Sequence, residues 1–291
     1  MKGIILAGGS GTRLRPMTEV VCKQLLPVYD KPMIYYPLST LIHAGVNDVL
    51  LICSPEELNR FRSLLGQGEK FGIKIDYAVQ ENPEGLPQGI LIGEEFIQNQ
   101  SFWFILGDNL FHGPDFGTSL KLTARNSHGG ATAFAYRVSD VSQYGTVRFS
   151  EDSQKPFDLI EKPDSHEFGW AIPGLYHFDS SAVARTKVIK PSARGELEII
   201  DLLQNYLVDD ALEINRISRG NAWFDLGTAE NLLTGSQFVH LIQSRQGLLV
   251  GSPEEASLNA GNLTQGAMDR ILLNSPVSAY FDSLKHYRKE K

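Results

Sequence analysis

The segment Leu6-Ala7-Gly8-Gly9-Ser10-Gly11-Thr12-Arg13-Leu14 directly follows the first apolar run of the chain. Three glycines let a backbone turn tightly and aim several N–H groups at one point, which makes a concave nest for an anion. Arg13 adds a permanently charged fork matched to phosphate oxygens. Two familiar phosphate loops are excluded. A P-loop needs Gly-Lys-Ser/Thr where this chain has Gly11-Thr12-Arg13, and the dinucleotide fingerprint needs glycine where Leu14 stands. Ten residues past Arg13, Lys23 in Lys23-Gln24-Leu25-Leu26-Pro27 offers a second positive charge for a phosphoryl group held in the nest.

Carboxylates complete the set. Phe102-Trp103-Phe104-Ile105-Leu106 reads as a buried strand, and Gly107-Asp108 places an acid at its C-terminal end. Asp225 follows a second short apolar stretch. Two such carboxylates are what Mg²⁺ needs when it keeps waters and takes its other ligands from nucleotide phosphates.

These residues need a scaffold that brings strand ends together. Short apolar, β-branched runs recur at Ile4-Ile5-Leu6, Val49–Ile52, Ile73–Val79, Phe102–Leu106 and Ala131–Tyr136, and helical patterns at Met33–Ala44, Pro55–Leu65 and Gln88–Ile97 lie between them. Alternation of this kind predicts an α/β fold with a mostly parallel central sheet flanked by helices. Ligands of such sheets collect at the carboxyl ends of the strands, where the glycine loop and Asp108 fall. Beyond Gly145 the pattern is less regular, with strand-like pieces at Thr146–Phe149, Leu159–Ile160 and Gly174–Phe178. A helix is expected from an N-cap at Thr228 to a stop at Gly247, and helices after residue 250 run to the basic tail Lys285-His286-Tyr287-Arg288-Lys289.

Composition narrows the partners. A net charge of −7 disfavours nucleic acid and anionic membrane, both of which reward a basic face. Cys22 and Cys53 are the only cysteines, too few for a disulfide framework or a four-thiolate metal site. The apolar run Gly3–Ala7 is too short for a secretory signal, and no stretch is long enough to span a bilayer. A cytoplasmic protein is expected.

At this point the chain resembles the glucose-1-phosphate thymidylyltransferases of the sugar nucleotidyltransferase superfamily. The resemblance runs over residues 1–250. It is carried by Gly3–Pro32, Lys31-Pro32-Met33-Ile34-Tyr35-Tyr36-Pro37-Leu38, Leu106-Gly107-Asp108-Asn109, Glu161-Lys162-Pro163, Pro191–Glu198 and Trp223-Phe224-Asp225-Leu226-Gly227-Thr228. It implies a Rossmann-like catalytic domain over residues 1–250, with a nucleotide half (1–130) and a sugar half (131–228), and a helical appendage over 251–291. It implies Mg²⁺-dependent transfer of a nucleotidyl group from dTTP to glucose 1-phosphate, with the ion on Asp108 and Asp225. Nucleotide contacts fall on Leu6, Gly8, Gly9, Gly11, Thr12, Arg13, Gln80, Gly85 and Asp108. Sugar-side contacts fall on Asn109, Gly145, Glu161, Lys162, Gly174 and Arg194. Arg13, Lys23, Lys162 and Arg194 are the expected catalytic cations. The family is typically homotetrameric and inhibited by its pathway product at a second site between subunits, and Arg219, Ser252 and Glu255 match parts of that site here.

The chain departs from the family pattern in three places, one of them Ala256-Ser257-Leu258-Asn259-Ala260-Gly261, where the family is more basic and aromatic. Gly85-Leu86-Pro87-Gln88-Gly89 stands where the family commonly has G-L-A-Q-A, so UTP joins dTTP as an expected nucleotide. Trp170, Pro173 and Ile200 replace residues usual near the sugar, which leaves the acceptor sugar open. A nucleotide-binding module without catalysis is the alternative from another class. Such a chain would have no reason to keep both aspartates and the four cations.

Overall fold

The computed structural model describes residues 1–9, 11–152 and 155–289; the side chains of Arg288 and Lys289 lie outside the described set, as does Ser10 of the glycine loop. In chain order the strands are β1 (Lys2–Leu6), β2 (Pro27–Val28), β3 (Lys31–Pro32), β4 (Asp48–Cys53), β5 (Lys74–Val79), β6 (Phe102–Leu106), β7 (Asn109–His112), β8 (Ala131–Val138), β9 (Gly145–Phe149), β10 (Pro156–Glu161), β11 (Gly169–Ala171), β12 (Leu175–Phe178), β13 (Leu212–Arg216) and β14 (Ala222–Asp225). The helices are α1 (Tyr35–His43), α2 (Leu58–Leu65), α3 (Gln88–Ile92), α4 (Glu94–Ile97), α5 (Phe116–Asn126), α6 (Ala182–Lys187), α7 (Ile199–Val208), α8 (Ala229–Gln246), α9 (Pro253–Ala260), α10 (Gln265–Leu273) and α11 (Ala279–Lys289).

Ten strands form one sheet in the order β10-β9-β11-β8-β12-β6-β1-β4-β5, with β13 also on β8. β1 lies parallel between β4 and β6, and β5 is parallel to β4. These strands are apolar on both faces because helices cover both sides. Ile4, Ile5, Val49, Leu51, Phe104 and Ile105 are all buried. β12 joins β6 and β8 antiparallel, and β11, β9 and β10 extend the sheet by further antiparallel pairings. Following these senses strand by strand, β12, β11 and β10 oppose the other seven, so the mostly parallel sheet expected from the sequence is found.

The helical expectations are met with small changes. The Gln88–Ile97 pattern divides at Gly93, whose missing side chain leaves room for Ile4 Cδ1. Thr228 accepts the Asn231 N–H at 3.2 Å as the N-cap of α8, and Gly247 ends that helix at φ 70°. α7 and β13 were not marked by the sequence pattern; β13 pairs with β8 from 81 residues away at its first register position, Leu212 with Ala131.

Two small ladders lie off the main sheet. β7 pairs antiparallel with β14, and β2 with β3. The first sets Asp225 opposite Asn109. The second is a hairpin directly after Lys23.

Candidate active site

A cavity of about 520 Å³ opens at the carboxyl ends of β1 and β6. One wall is built by the turn after β1. Gly8 packs so closely on Gln80 that a Cβ there would overlap its Oε1, and Gly9 takes φ 104°, a conformation that L residues rarely adopt. Leu6, Gly8, Gly9, Arg13, Lys23, Gln80 and Gly85 all line this wall. Gly11 and Thr12 do not. Gly11 instead caps the short 3₁₀ turn carrying Arg13, and its carbonyl accepts the Thr18 hydroxyl at 2.8 Å.

Asp108 and Asp225 meet in the centre of the cavity. The β7–β14 ladder and the bond from Leu226 N–H to the Asp108 carbonyl (2.9 Å) fix them beside each other. Lys23 bonds Asp108 directly. Burial opposes charge on Asp108, but the Lys23 ammonium wins and its carboxyl lies below the usual range. Lys23 is likewise raised: burial works against it, and Asp108 more than compensates. Asp225 moves the other way, pushed up by burial and then by the neighbouring Asp108 charge. Two buried acids, one held ionised and one under like-charge stress, suit a hard divalent cation with oxygen ligands. Among the described residues no cluster of three or more His, Cys, Asp or Glu could hold an ion. The donor set therefore fits an ion that draws its other ligands from substrate and water, rather than a closed structural site.

Asn109, expected at the sugar, lines the cavity but is largely committed to the protein. Its Oδ1 accepts from Gly174 N–H at 3.0 Å and from Trp223 Nε1 at 2.7 Å, while Nδ2 donates to Asp108 at 3.0 Å. It orients the aspartate and closes the joint between β7, β12 and β14.

The opposite wall carries Gly145, Glu161, Lys162, Gly174 and Arg194. Lys162 sits at φ 45°, a left-handed conformation costly for a side chain of this size, and its N–H donates to the Tyr144 carbonyl at 3.1 Å. Arg194 Nη2 reaches Glu161 at 3.1 Å and Glu198 at 2.8 Å, and Nε reaches Glu198 at 3.2 Å. The Ser192 hydroxyl also donates to Glu198, at 2.6 Å. Burial raises the Glu161 carboxyl above its usual value, and Glu198 adds to this against the pull of Lys162 and Arg194. Glu198 is the principal site residue that sequence reading missed. The available signals were its place four residues past Arg194 and at the end of the Pro191–Glu198 motif.

At one rim of the cavity Gly85 adopts φ 106° and bridges to Leu197, so the two walls touch there. Gln80 Nε2 donates to Gln88 at 2.5 Å. Pro87 precedes α3, where no backbone N–H is needed, and Gly89 lies where a Cβ would press on Phe104 and Leu6 at 3.1 and 3.3 Å. Of the three departures expected near the sugar, only Ile200 reaches the cavity. Trp170 is turned to an outer groove by pairing with Arg137 and Val147, where it meets Phe149 edge to face and faces Arg216.

The three residues expected at the second site between subunits lie in different surroundings within one chain. Glu255 lines a separate cavity of about 410 Å³ with His43, His112 and Gln246. Ser252 is buried and caps α9 by accepting the Glu255 N–H at 3.2 Å. Arg219 lines neither cavity.

An anion nest facing a second pair of cations, with two aspartates between them, is the layout of an enzyme that joins two phosphate-bearing substrates. The chain belongs to the nucleotidyl transferase family, whose profile matches residues 2–241. Its relatives are specific. It is 49% identical over 286 residues to the glucose-1-phosphate thymidylyltransferase of Neisseria gonorrhoeae, covering 98% of this chain and 99% of that protein. The protein of that name from Mycolicibacterium smegmatis is 50% identical over 261 residues, 90% of each chain. A solved structure from Bacillus anthracis, described as a glucose-1-phosphate thymidylyltransferase with sucrose bound, superposes with a TM-score of 0.75 at 36% identity, covering 82% of this chain and 94% of that one.

Proposed function

We propose that this chain transfers a thymidylyl group from dTTP to glucose 1-phosphate, releasing dTDP-glucose and pyrophosphate. One observation carries the reading: Arg13 with Lys23, and Lys162 with Arg194, stand on opposite walls of a single cavity with Asp108 and Asp225 between them. Two polyanions approaching each other need cations on both flanks, and this layout supplies them.

An oxygen of the sugar phosphate attacks the α-phosphorus in line, and pyrophosphate departs toward Gly8–Arg13. That oxygen is ionised at neutral pH, so no general base is needed, and catalysis consists of positioning and charge neutralisation. Arg13 receives the leaving group and Lys23 neutralises the α-phosphoryl. Lys162 and Arg194 aim the nucleophile, while Glu161 bonds sugar hydroxyls and the Gly145 and Gly174 backbones let the ring approach. Gln80 and Gly85 flank the base. Asp108 and Asp225 would hold Mg²⁺, which when bound offsets charge on the phosphates.

In this reading the nucleotide half spans 1–130, the sugar half 131–228 and the helical appendage 251–291. The enzyme works in the cytoplasm as a homotetramer; no helix among the described residues is long and apolar enough to cross a membrane. The test is pyrophosphate release over a matrix of dTTP, UTP and several sugar 1-phosphates, with and without Mg²⁺. Release with dTTP and glucose 1-phosphate alone upholds the reading, UTP-led release reassigns the base, and silence everywhere favours a binding module.

A further inference from the structure

The hairpin that follows Lys23 is gripped from outside the cavity. β2 and β3 turn at Tyr29, and Lys31 lies just beyond the tip with 3% exposure. A buried ammonium must replace the water it has lost. Lys31 does so through Asp30 at 2.5 Å, Gln243 Oε1 at 3.1 Å, and the rings of Tyr36 and Tyr280 at 4.9 and 5.5 Å. Gln243, in the last turn of α8, closes the clasp. Its Nε2 donates to Asp30 at 2.9 Å and its Oε1 also accepts Val250 N–H at 3.0 Å.

From this clasp the hairpin leads to Lys23 through the main chain. Met33 N–H bonds the Leu26 carbonyl and Ile34 N–H the Gln24 carbonyl, both at 2.9 Å, and Leu26 N–H bonds the Lys23 carbonyl at 3.0 Å. At the other end of α8, Asn231 Nδ2 donates to the Asp225 carbonyl at 2.8 Å. One helix of 18 residues, about 27 Å long, therefore bears on Asp225 with its first turn and on the Lys23 hairpin with its last.

We propose that Lys31 is a positioning residue: its clasp on Gln243 and Asp30 uses α8 as a strut to set Lys23 relative to the Asp108–Asp225 pair. Without the clasp, the hairpin keeps the Tyr36 hydroxyl on the Val28 carbonyl at 2.7 Å, but it meets α8 only through the Tyr29–His240 ring pair and through Leu26, Val28, Met33 and Tyr36 packed with Leu232 and Val239. Apolar contact of that kind is non-directional and permits sliding. A shift of about 1 Å in a catalytic group costs on the order of a hundredfold in rate. The inference rests on the reaction proposed above.

Lys31→Met keeps the stem and removes the charge and donors. Removing the cation leaves Asp30 without its partner and should lower stability, so kinetics are read only on variants shown to be folded, and Gln243→Leu, which removes no charge, separates catalysis from folding. With dTTP and glucose 1-phosphate, kcat should fall at least tenfold while the KM for glucose 1-phosphate moves less than twofold, because Lys23 acts on the nucleotide. Gln243→Leu breaks the clasp from the helix side and should give the same split. The double variant should be no worse than the poorer single. If Lys31→Met does not fold by circular dichroism, Gln243→Leu carries the test. Unmodified kcat in a folded variant, an acceptor KM that rises with the fall in kcat, or additive losses would overturn the proposal. Silence of the unmodified chain with the same substrates would instead remove the reaction itself.

Discussion

Glu198→Ala should raise the KM for glucose 1-phosphate about tenfold. The variant removes two charge-assisted contacts to Arg194, at 2.8 and 3.2 Å. Fully buried, such contacts contribute about 1.5–3 kcal/mol each. The Arg194 side chain is 43% exposed, and solvent screening reduces the pair to about 1–1.5 kcal/mol, or roughly one decade in affinity. An opposing effect has to be weighed, since loss of an anion beside Arg194 should strengthen its pull on a sugar phosphate. That gain is blocked by Glu161, which already lies 3.1 Å from the same guanidinium. Released from Glu198, Arg194 pairs with Glu161, cancels its own charge and occupies the carboxylate proposed for the sugar hydroxyls. Glu198→Gln retains one acceptor and should raise KM only about two- to threefold. Initial rates of pyrophosphate release against glucose 1-phosphate at saturating dTTP measure all three proteins. A lower KM in both variants would refute the reasoning and show that Glu198 acts by damping charge, not by holding Arg194 in place.

Asp108→Asn and Asp225→Asn should each lower turnover by about two orders of magnitude or more with unchanged circular dichroism; near-normal turnover in both removes the metal assignment. His177 is 1% exposed with no hydrogen-bond partner on either ring nitrogen, and burial lowers its pKa to about 4 despite Asp179. From the ordinary 6.5 down to about 4 the unfolded chain holds the extra proton, so this contribution is complete above pH 6.5 and lost as pH falls toward 4, by roughly 3 kcal/mol at most. Urea midpoints for His177→Gln should fall less steeply than the parent's over that window, and parallel curves would dismiss the role.

What could be read in the sequence follows from how local each feature is. The glycine turn and Asp108 each sit directly after a strand whose apolar run is continuous, so position and chemistry come from neighbours in the chain. Lys162 and Arg194 became visible only through the resemblance, because each stands alone among polar residues. Trp170 was misplaced because its face is decided by Arg137 and Val147, partners 33 and 23 residues away. β13 escaped notice for the same reason: its strand is half-buried, and its parallel partner β8 precedes it by a whole layer of the fold. Glu198 was passed over because α7 itself was not marked; it is the residue before that helix, and its side chain bonds Arg194 and does not cap the helix.

The paired aspartates carry this dependence furthest. Asp108 and Asp225 are 117 residues apart, and the short ladder of β7 with β14 and the single bond from Leu226 to Asp108 bring them together. That ladder is tied to the seating of β12 beside β6, because Asn109 bonds both Gly174 and Trp223. The amide that completes the joint also bonds Asp108, so closure of the fold and orientation of the acid are one event. Residues 1–130 alone would carry Lys23 and Asp108 yet lack the second carboxylate. Two acids forced together in the finished cleft repel each other, and that repulsion is tolerable because Lys23 and Arg13 stand beside them, where the proposed Mg²⁺ and phosphates would enter.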